Sequence, residues 1–130
     1  MLLLLRAVRI HLAAELVDMR KSIDGLFVHV QHALVADPYS GHLFVFLGKR
    51  RDKVKVLAWD GGGFLLLYKR LEAGRFRMPE VAEDATCVQL DATQLAMLLD
   101  GIDVSRVRRP LKWQPPEQPM PGAASGATRR

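Results

Sequence analysis

Between residues 37 and 77 the chain carries nine lysines and arginines against four carboxylates, and the cations are interleaved with aromatic rings. Lys49, Arg50, Arg51, Lys53 and Lys55 come first, Trp59 follows, and Tyr68, Lys69, Arg70, Arg75 and Arg77 close the run. This mixture is the chemistry of a nucleic-acid surface: ammonium and guanidinium groups neutralise phosphates, and ring faces stack on unpaired bases. The competing reading is architectural, with the cations keeping sheet edges soluble and the rings belonging to the core. Charge is also segregated along the chain. Residues 1–36 sum to +1, 37–77 to +5, 78–105 to −6 and 106–130 to +5, for a total of +5 over 130 residues. Blocks of opposite sign give a small molecule a basic end, which suits an acidic partner.

Other chemistry is harder to find. His29 and His32 stand three apart, but on a helix they project away from the apolar stripe of Ile23 and Val30, and no third metal ligand is near them in sequence. Cys87 is the single cysteine, so no internal disulfide forms and a reducing cytoplasm is the expected compartment. It alternates against Thr86, Val88 and Leu90 as an ordinary strand thiol, and no histidine is expected to be placed to activate it. Asp18, Asp24, Asp37, Asp52, Asp60 and Glu72 show no metal-binding spacing, and Ser22 and Ser40 lack a nucleophile context. Gly61, Gly62 and Gly63 precede an apolar strand instead of a helix, which makes them a turn and not a phosphate loop. The expectation is a protein without catalytic residues, metal or cofactor. The leucines at the start are interrupted by Arg6 and Arg9 before they reach the length of a signal-peptide core or a membrane span, so no membrane association is expected.

The elements that position the basic run follow from hydrophobic period. Val8, Ile10 and Leu12 alternate with polar or small residues as a strand does. With Asp18 as the expected N-cap, Ile23, Leu26, Phe27, Val30 and Leu34 predict a helix to about Val35, stopped by Asp37 and Pro38. Strands are expected over 43–47, 53–59 and 64–70, with a basic turn at 48–52 and an Asp-Gly turn at 60–63. Residues 74–78 are expected to add a fourth strand and 87–90 a short fifth. Asp91 and Gln94 form a variant capping box for a helix carrying Leu95, Leu98, Leu99 and Ile102, closed by Gly101. Residues 1–113 form one domain in this reading, and the Pro-, Gly- and Ala-rich 114–130 a disordered tail.

A two-residue turn between the second and third strands of the meander, at either Asp60-Gly61 or Gly61-Gly62, sets the same parity for the pair. One face then carries Val54, Val56, Ala58, Leu65 and Leu67 and is expected to pack on the helices. The other carries Lys53, Lys55, Leu57, Trp59, Phe64, Leu66, Tyr68 and Arg70, the candidate nucleic-acid face, extended by Lys49, Arg50, Arg51, Lys69, Arg75 and Arg77. Arg106, Arg108, Arg109 and Lys112 form a second basic cluster, read as a solvated helix exit. The fold class expected is α+β: an antiparallel meander of four to five strands with an N-terminal strand and two helices packed on one face.

Several short runs, in order, carry a resemblance. They are Asp18-Met19-Arg20-Lys21 with Asp24-Gly25-Leu26, Asp37-Pro38 leading into Gly41-His42-Leu43-Phe44-Val45-Phe46, and Trp59-Asp60-Gly61 with Gly63-Phe64. Lys69-Arg70-Leu71-Glu72 with Gly74-Arg75-Phe76, and Gln94-Leu95 with Leu98-Leu99 and Gly101-Ile102-Asp103, complete the set. Over about Val8 to Trp113 the chain resembles the TnpB accessory protein, the second reading frame, of the bacterial insertion-sequence family sixty-six, and not the RNA-guided nuclease that shares the name. The resemblance implies a non-catalytic accessory protein of transposition that works beside the transposase of the same element. Leu47, Ser22, Met78 and everything after Trp113 depart from the family pattern, and Leu47 thins the basic patch. Combined with the basic run, the expected partners are DNA at the transposon ends and the transposase, with self-association into a homo-oligomer left open. The alternative is a transposase-binding module that never touches DNA, using the acidic 78–105 segment or apolar residues such as Leu57 and Leu66. A metal-dependent nuclease comes third and requires Asp18, Asp52 and Asp60 to cluster.

Overall fold

The computed structural model describes residues 7–102. Seven elements follow in order: β1 (Ile10–Ala13), α1 (Ile23–His32), β2 (Leu43–Leu47), β3 (Lys53–Trp59), β4 (Phe64–Arg70), β5 (Cys87–Leu90) and α2 (Ala92–Leu99). The strands form one sheet in the order β4-β3-β2-β1-β5. The antiparallel meander is present as β2-β3-β4, with Phe44 opposite Leu57 and Val56 opposite Leu67. β1 lies parallel to β2, Ile10 opposite Leu43, and β5 runs antiparallel to β1. The parallel pair is a consequence of α1: a helix between two neighbouring strands carries the chain back to the end it started from. The fold is α+β with a mixed, mostly antiparallel sheet.

Both faces of the sheet are covered, and the helices lie on opposite faces instead of sharing one. Ile10, Leu12, Val45, Leu47, Val54 and Val56 pack with Leu98 and Leu95 of α2, together with Phe76. Ala13, Phe44, Phe46 and Leu57, of opposite parity along the same strands, pack with Leu26 and Val30 of α1. The cause is visible in β2, Leu-Phe-Val-Phe-Leu, which is apolar at every position and therefore needs cover on both sides.

Local boundaries show what competed with periodicity. α1 ends at His32, short of Val35, because Val35 takes a left-handed backbone (φ 50°) and the Ala36 N–H reaches back to the Val30 carbonyl. Ser22 occupies the N-cap, and Asp18 instead closes a tight turn by accepting from the Arg20 N–H at 2.9 Å. No strand forms over 74–78. Phe76, fully buried, inserts into the α2-side core, and its N–H donates to the Arg51 carbonyl. The two-residue turn at Gly61 and Gly62 is present, with the Asp60 N–H donating to Gly63 and Gly61 at φ 77°. The capping box at α2 is complete in both directions, and Gly101 follows at φ 80°. The expected tail at 114–130 and the basic cluster at Arg106, Arg108, Arg109 and Lys112 lie outside the described residues.

Candidate nucleic-acid interface

The parity expected for β3 and β4 holds: Lys53 faces Arg70, Lys55 faces Tyr68, Leu57 faces Leu66 and Trp59 faces Phe64. Exposure is distributed differently from the expectation. Leu57 is buried and Leu66 partly buried under α1, whereas Leu65 and Leu67, on the face expected to be covered, are 40% and 52% exposed on the edge strand β4. The polar members of the other face are therefore not one continuous surface. They divide between the two ends of the strands.

At the end that holds the β2–β3 turn, the free cations gather. Lys49, Arg50 and Arg51 are exposed on the turn, with Arg51 in a left-handed backbone (φ 63°), and Lys53 begins β3 beside them. The run after β4 is stitched to this turn: the Leu71 N–H donates to the Asp52 carbonyl at 2.8 Å and the Phe76 N–H to the Arg51 carbonyl. This brings exposed Arg75 and Arg77, on either side of Phe76, to the same end. None of these six cations has a carboxylate within salt-bridge distance among the described residues. Residues 17–20 close over the turn, with the Val17 N–H donating to the Leu47 carbonyl at 2.9 Å. Between them lies a cleft of about 550 Å³ lined by Met19, Arg20, Lys49, Arg50, Lys53 and Tyr68, with Asp18 and Asp52. Gly48 lets the two segments approach, since a methyl group built there would come within 2.5 Å of Met19 Cγ.

Other predicted site residues are committed elsewhere. Lys55 is buried, and its Nζ donates to the carbonyls of Met19 and Lys21, each at 2.8 Å, while lying 5.1 Å from the Tyr68 ring centroid. Lys69 points to the opposite face, where its Nζ donates to the Leu99 carbonyl at 2.6 Å and caps the end of α2. Arg70 pairs with Glu72 at 2.9 Å, both exposed. Trp59 lies at the far end of β3, roughly 20 Å from Lys53 at the strand rise, within an aromatic cluster of Phe27, Tyr39 and Phe64. These rings pack on one another without being fully buried: Phe27, Trp59 and Phe64 are half-buried and Tyr39 is 52% exposed.

Arg20 was not singled out in sequence as part of the interface, although its bidentate pairing with Asp18 shapes the cleft wall. The side-chain hydrogen bond from Arg20, followed by its backbone N–H, holds the Asp18 carboxyl far below the usual range and raises the Arg20 guanidinium in turn. A carboxylate two residues before an arginine in an otherwise non-helical run is the signal that could have found it. Asp18 and Asp52 share this cleft, but Asp60 lies beyond the other end of β3, and no group of three His, Cys, Asp or Glu suited to a metal occurs among the described residues.

Of the two helix histidines expected to face solvent, His32 is exposed and His29 is half-buried. The His29 ring packs edge-on against Phe46, Nε2 is buried without a hydrogen-bond partner among the described residues, and burial lowers its pKa. His11, brought to Cys87 by the β1–β5 pairing, places Nδ1 4.0 Å from Sγ across 76 residues of chain, a neighbour that sequence proximity could not reveal. Burial first, and then the charges of His42 and Arg9, lower the His11 pKa, and its ring stacks on Phe44.

A family model described as IS66 Orf2 like protein matches residues 8–109. The chain belongs to the IS66 Orf2-like family. Two proteins of Sinorhizobium fredii (strain NBRC 101917 / NGR234) are similar to it. Uncharacterized protein y4jC is 41% identical over 104 residues, covering 80% of this chain and 87% of the relative. Uncharacterized protein y4hO is 40% identical over 96 residues, covering 74% and 82%. No solved structure matches the chain. The family bears out the resemblance read from the short motifs, over nearly the same span. It assigns an accessory role in insertion-sequence transposition and is not a known enzyme family. No helix among the described residues is long and apolar enough to cross a membrane.

Proposed function

We propose that this family member performs its accessory role by holding DNA through the basic end built on the β2–β3 turn. Lys49, Arg50, Arg51 and Lys53 contact consecutive phosphates, and Arg75 and Arg77 extend the track. The observation that supports this reading most is that these six cations share one end of the sheet with no carboxylate at salt-bridge distance among the described residues, while the lysines with structural roles are held on backbone carbonyls. Cations not tied into salt bridges are available to replace counterions on a nucleic-acid backbone. With about four phosphates neutralised, log affinity falls against log salt with a slope near −3.6, at −0.9 per phosphate. Electrophoretic shifts with transposon-end and unrelated DNA over a salt series test it, with Lys49→Glu and Arg50→Glu as the weakening variants. Absence of DNA retention at low salt refutes the reading.

A second reading, docking on the transposase, is favoured by a different feature. Leu65 and Leu67 lie exposed side by side in parity on edge strand β4, which presents an apolar strip with an edge that no other strand among the described residues pairs. Co-purification with the transposase that survives nuclease treatment and is lost in Leu65→Lys with Leu67→Lys supports this surface.

A further inference from the structure

The cleft beneath the basic turn has a property that phosphate contact alone does not require: one wall is an aromatic ring. Tyr68 is 54% exposed and lines the cleft with Lys49, Arg50 and Lys53. The Lys55 ammonium, held by the carbonyls of Met19 and Lys21, lies 5.1 Å from the centroid of its ring and positions it from within the sheet. The volume of about 550 Å³ falls within the range of small-molecule sites. A space of that size is on the scale of one nucleotide and smaller than a duplex. Arg20 and Asp18 pair with each other, which leaves Lys49, Arg50 and Lys53 against Asp52, so the cleft keeps a net positive charge that attracts phosphate.

From this arrangement we infer that the cleft takes an unpaired nucleotide of a DNA strand, its base stacked on the exposed Tyr68 ring and its flanking phosphates on Lys49, Arg50 and Lys53. The inference rests on the DNA-holding reading above and narrows it from duplex to single strand. In a duplex the base faces are covered by their neighbours and only the edges are presented in the grooves. A ring in the cleft gains nothing from such a ligand, whereas stacking on a splayed base is available to any sequence. An accessory protein using such a site would engage strands that are unpaired, as at opened or cleaved ends.

The test is fluorescence anisotropy with the full chain and a labelled single-stranded oligonucleotide, compared with the same sequence as a blunt duplex. Wild type, Tyr68→Ala, Tyr68→Phe and Arg50→Glu are titrated over a salt series, and thermal melting checks the fold of each variant. The single strand binds more tightly than the duplex. Tyr68→Ala weakens single-strand binding by about 5- to 150-fold, the range for loss of one stacked base. Its duplex affinity and salt slope stay unchanged, and Tyr68→Phe restores wild-type binding. Arg50→Glu weakens both forms and flattens the slope. Equal binding of both forms, or a Tyr68→Ala loss that is absent or identical for the two, overturns the inference and leaves the DNA-holding reading intact. If neither form is retained at low salt, both readings fall.

Discussion

Lys55→Met separates the architectural cations from the phosphate-binding ones. Lys55 sits 8% exposed in the middle of β3, and its ammonium satisfies two carbonyls, Met19 and Lys21, in the run that leads into α1. A hydrogen bond to a charged group contributes roughly 1.5–3 kcal/mol. Methionine keeps most of the stem's packing, spares the cost of burying a charge, and leaves carbonyls that water can partly reach. The net loss expected is about 2–4 kcal/mol, which for a domain near 100 residues lowers Tm by at least ~10 °C. Urea denaturation followed by far-UV circular dichroism measures it. The control is Lys53→Met, two residues away on the same face but half-buried and without a bonded partner among the described residues. That change alters stability by about 0.5 kcal/mol or less and makes the DNA salt slope shallower by about 0.9. The opposite pattern, with Lys55→Met stable to within about 0.5 kcal/mol and Lys53→Met destabilised, refutes the division of roles.

Phe76→Ala empties a fully buried position on the α2 side and costs about 3–5 kcal/mol in urea denaturation; a loss below about 1 kcal/mol contradicts its role as the anchor of the run after β4. Gly48→Ala overpacks the contact with Met19 and costs about 1–3 kcal/mol, most of it recovered when Met19→Ala is added; purely additive changes contradict the close approach. Stability also depends on pH through His11 and His29, whose folded pKa values are lowered by burial, so that the unfolded chain takes up protons first. Their contribution is complete above about pH 6.5, the ordinary histidine value, and is lost as pH falls through that value toward the folded ones. Thermal melting therefore gives a lower Tm at pH 5 than at pH 7.5, and His11→Gln combined with His29→Gln flattens the profile; a flat wild-type profile contradicts the assignment.

The local devices of this fold were legible in the sequence and the long-range ones were not. Asp91 with Gln94, and the glycines after Asp60, each act within a few residues, so their types and spacing suffice to predict the cap and the turn. The period of β3 and β4 gave correct faces because parity passes through a two-residue turn unchanged. What failed was cover. β2 is apolar on both sides, and this should have placed one helix on each face; the parallel seating of β1 beside it depends on where α1 carries the chain. Phe76 failed for a related reason: a single buried ring between two exposed arginines has the alternation of a strand, yet one anchor can do the same without a partner strand. Lys55 was misread as free because its two carbonyl partners are more than 30 residues away in sequence.

The same sheet edge thus uses lysine in two ways, and the difference has a structural logic. Lys55 and Lys69 stand on adjacent strands with opposite parity, and each reaches a backbone carbonyl next to a helix: Lys55 before the start of α1 and Lys69 at the end of α2. An ammonium is suited to this task, since three donors on a flexible stem can satisfy carbonyls that no strand can reach. With the two helices clamped from within the β3–β4 ribbon, the β2–β3 turn is left with no cation needed for the fold among Lys49, Arg50 and Arg51. Their charge can be changed without disturbing either clamp. Substitutions on the turn are therefore expected to alter association with an anionic partner at unchanged Tm, while substitutions of the two clamping lysines alter Tm first. A turn variant that melts early would mean that its charges are structural after all, and the separation of platform from contact surface would fail with it.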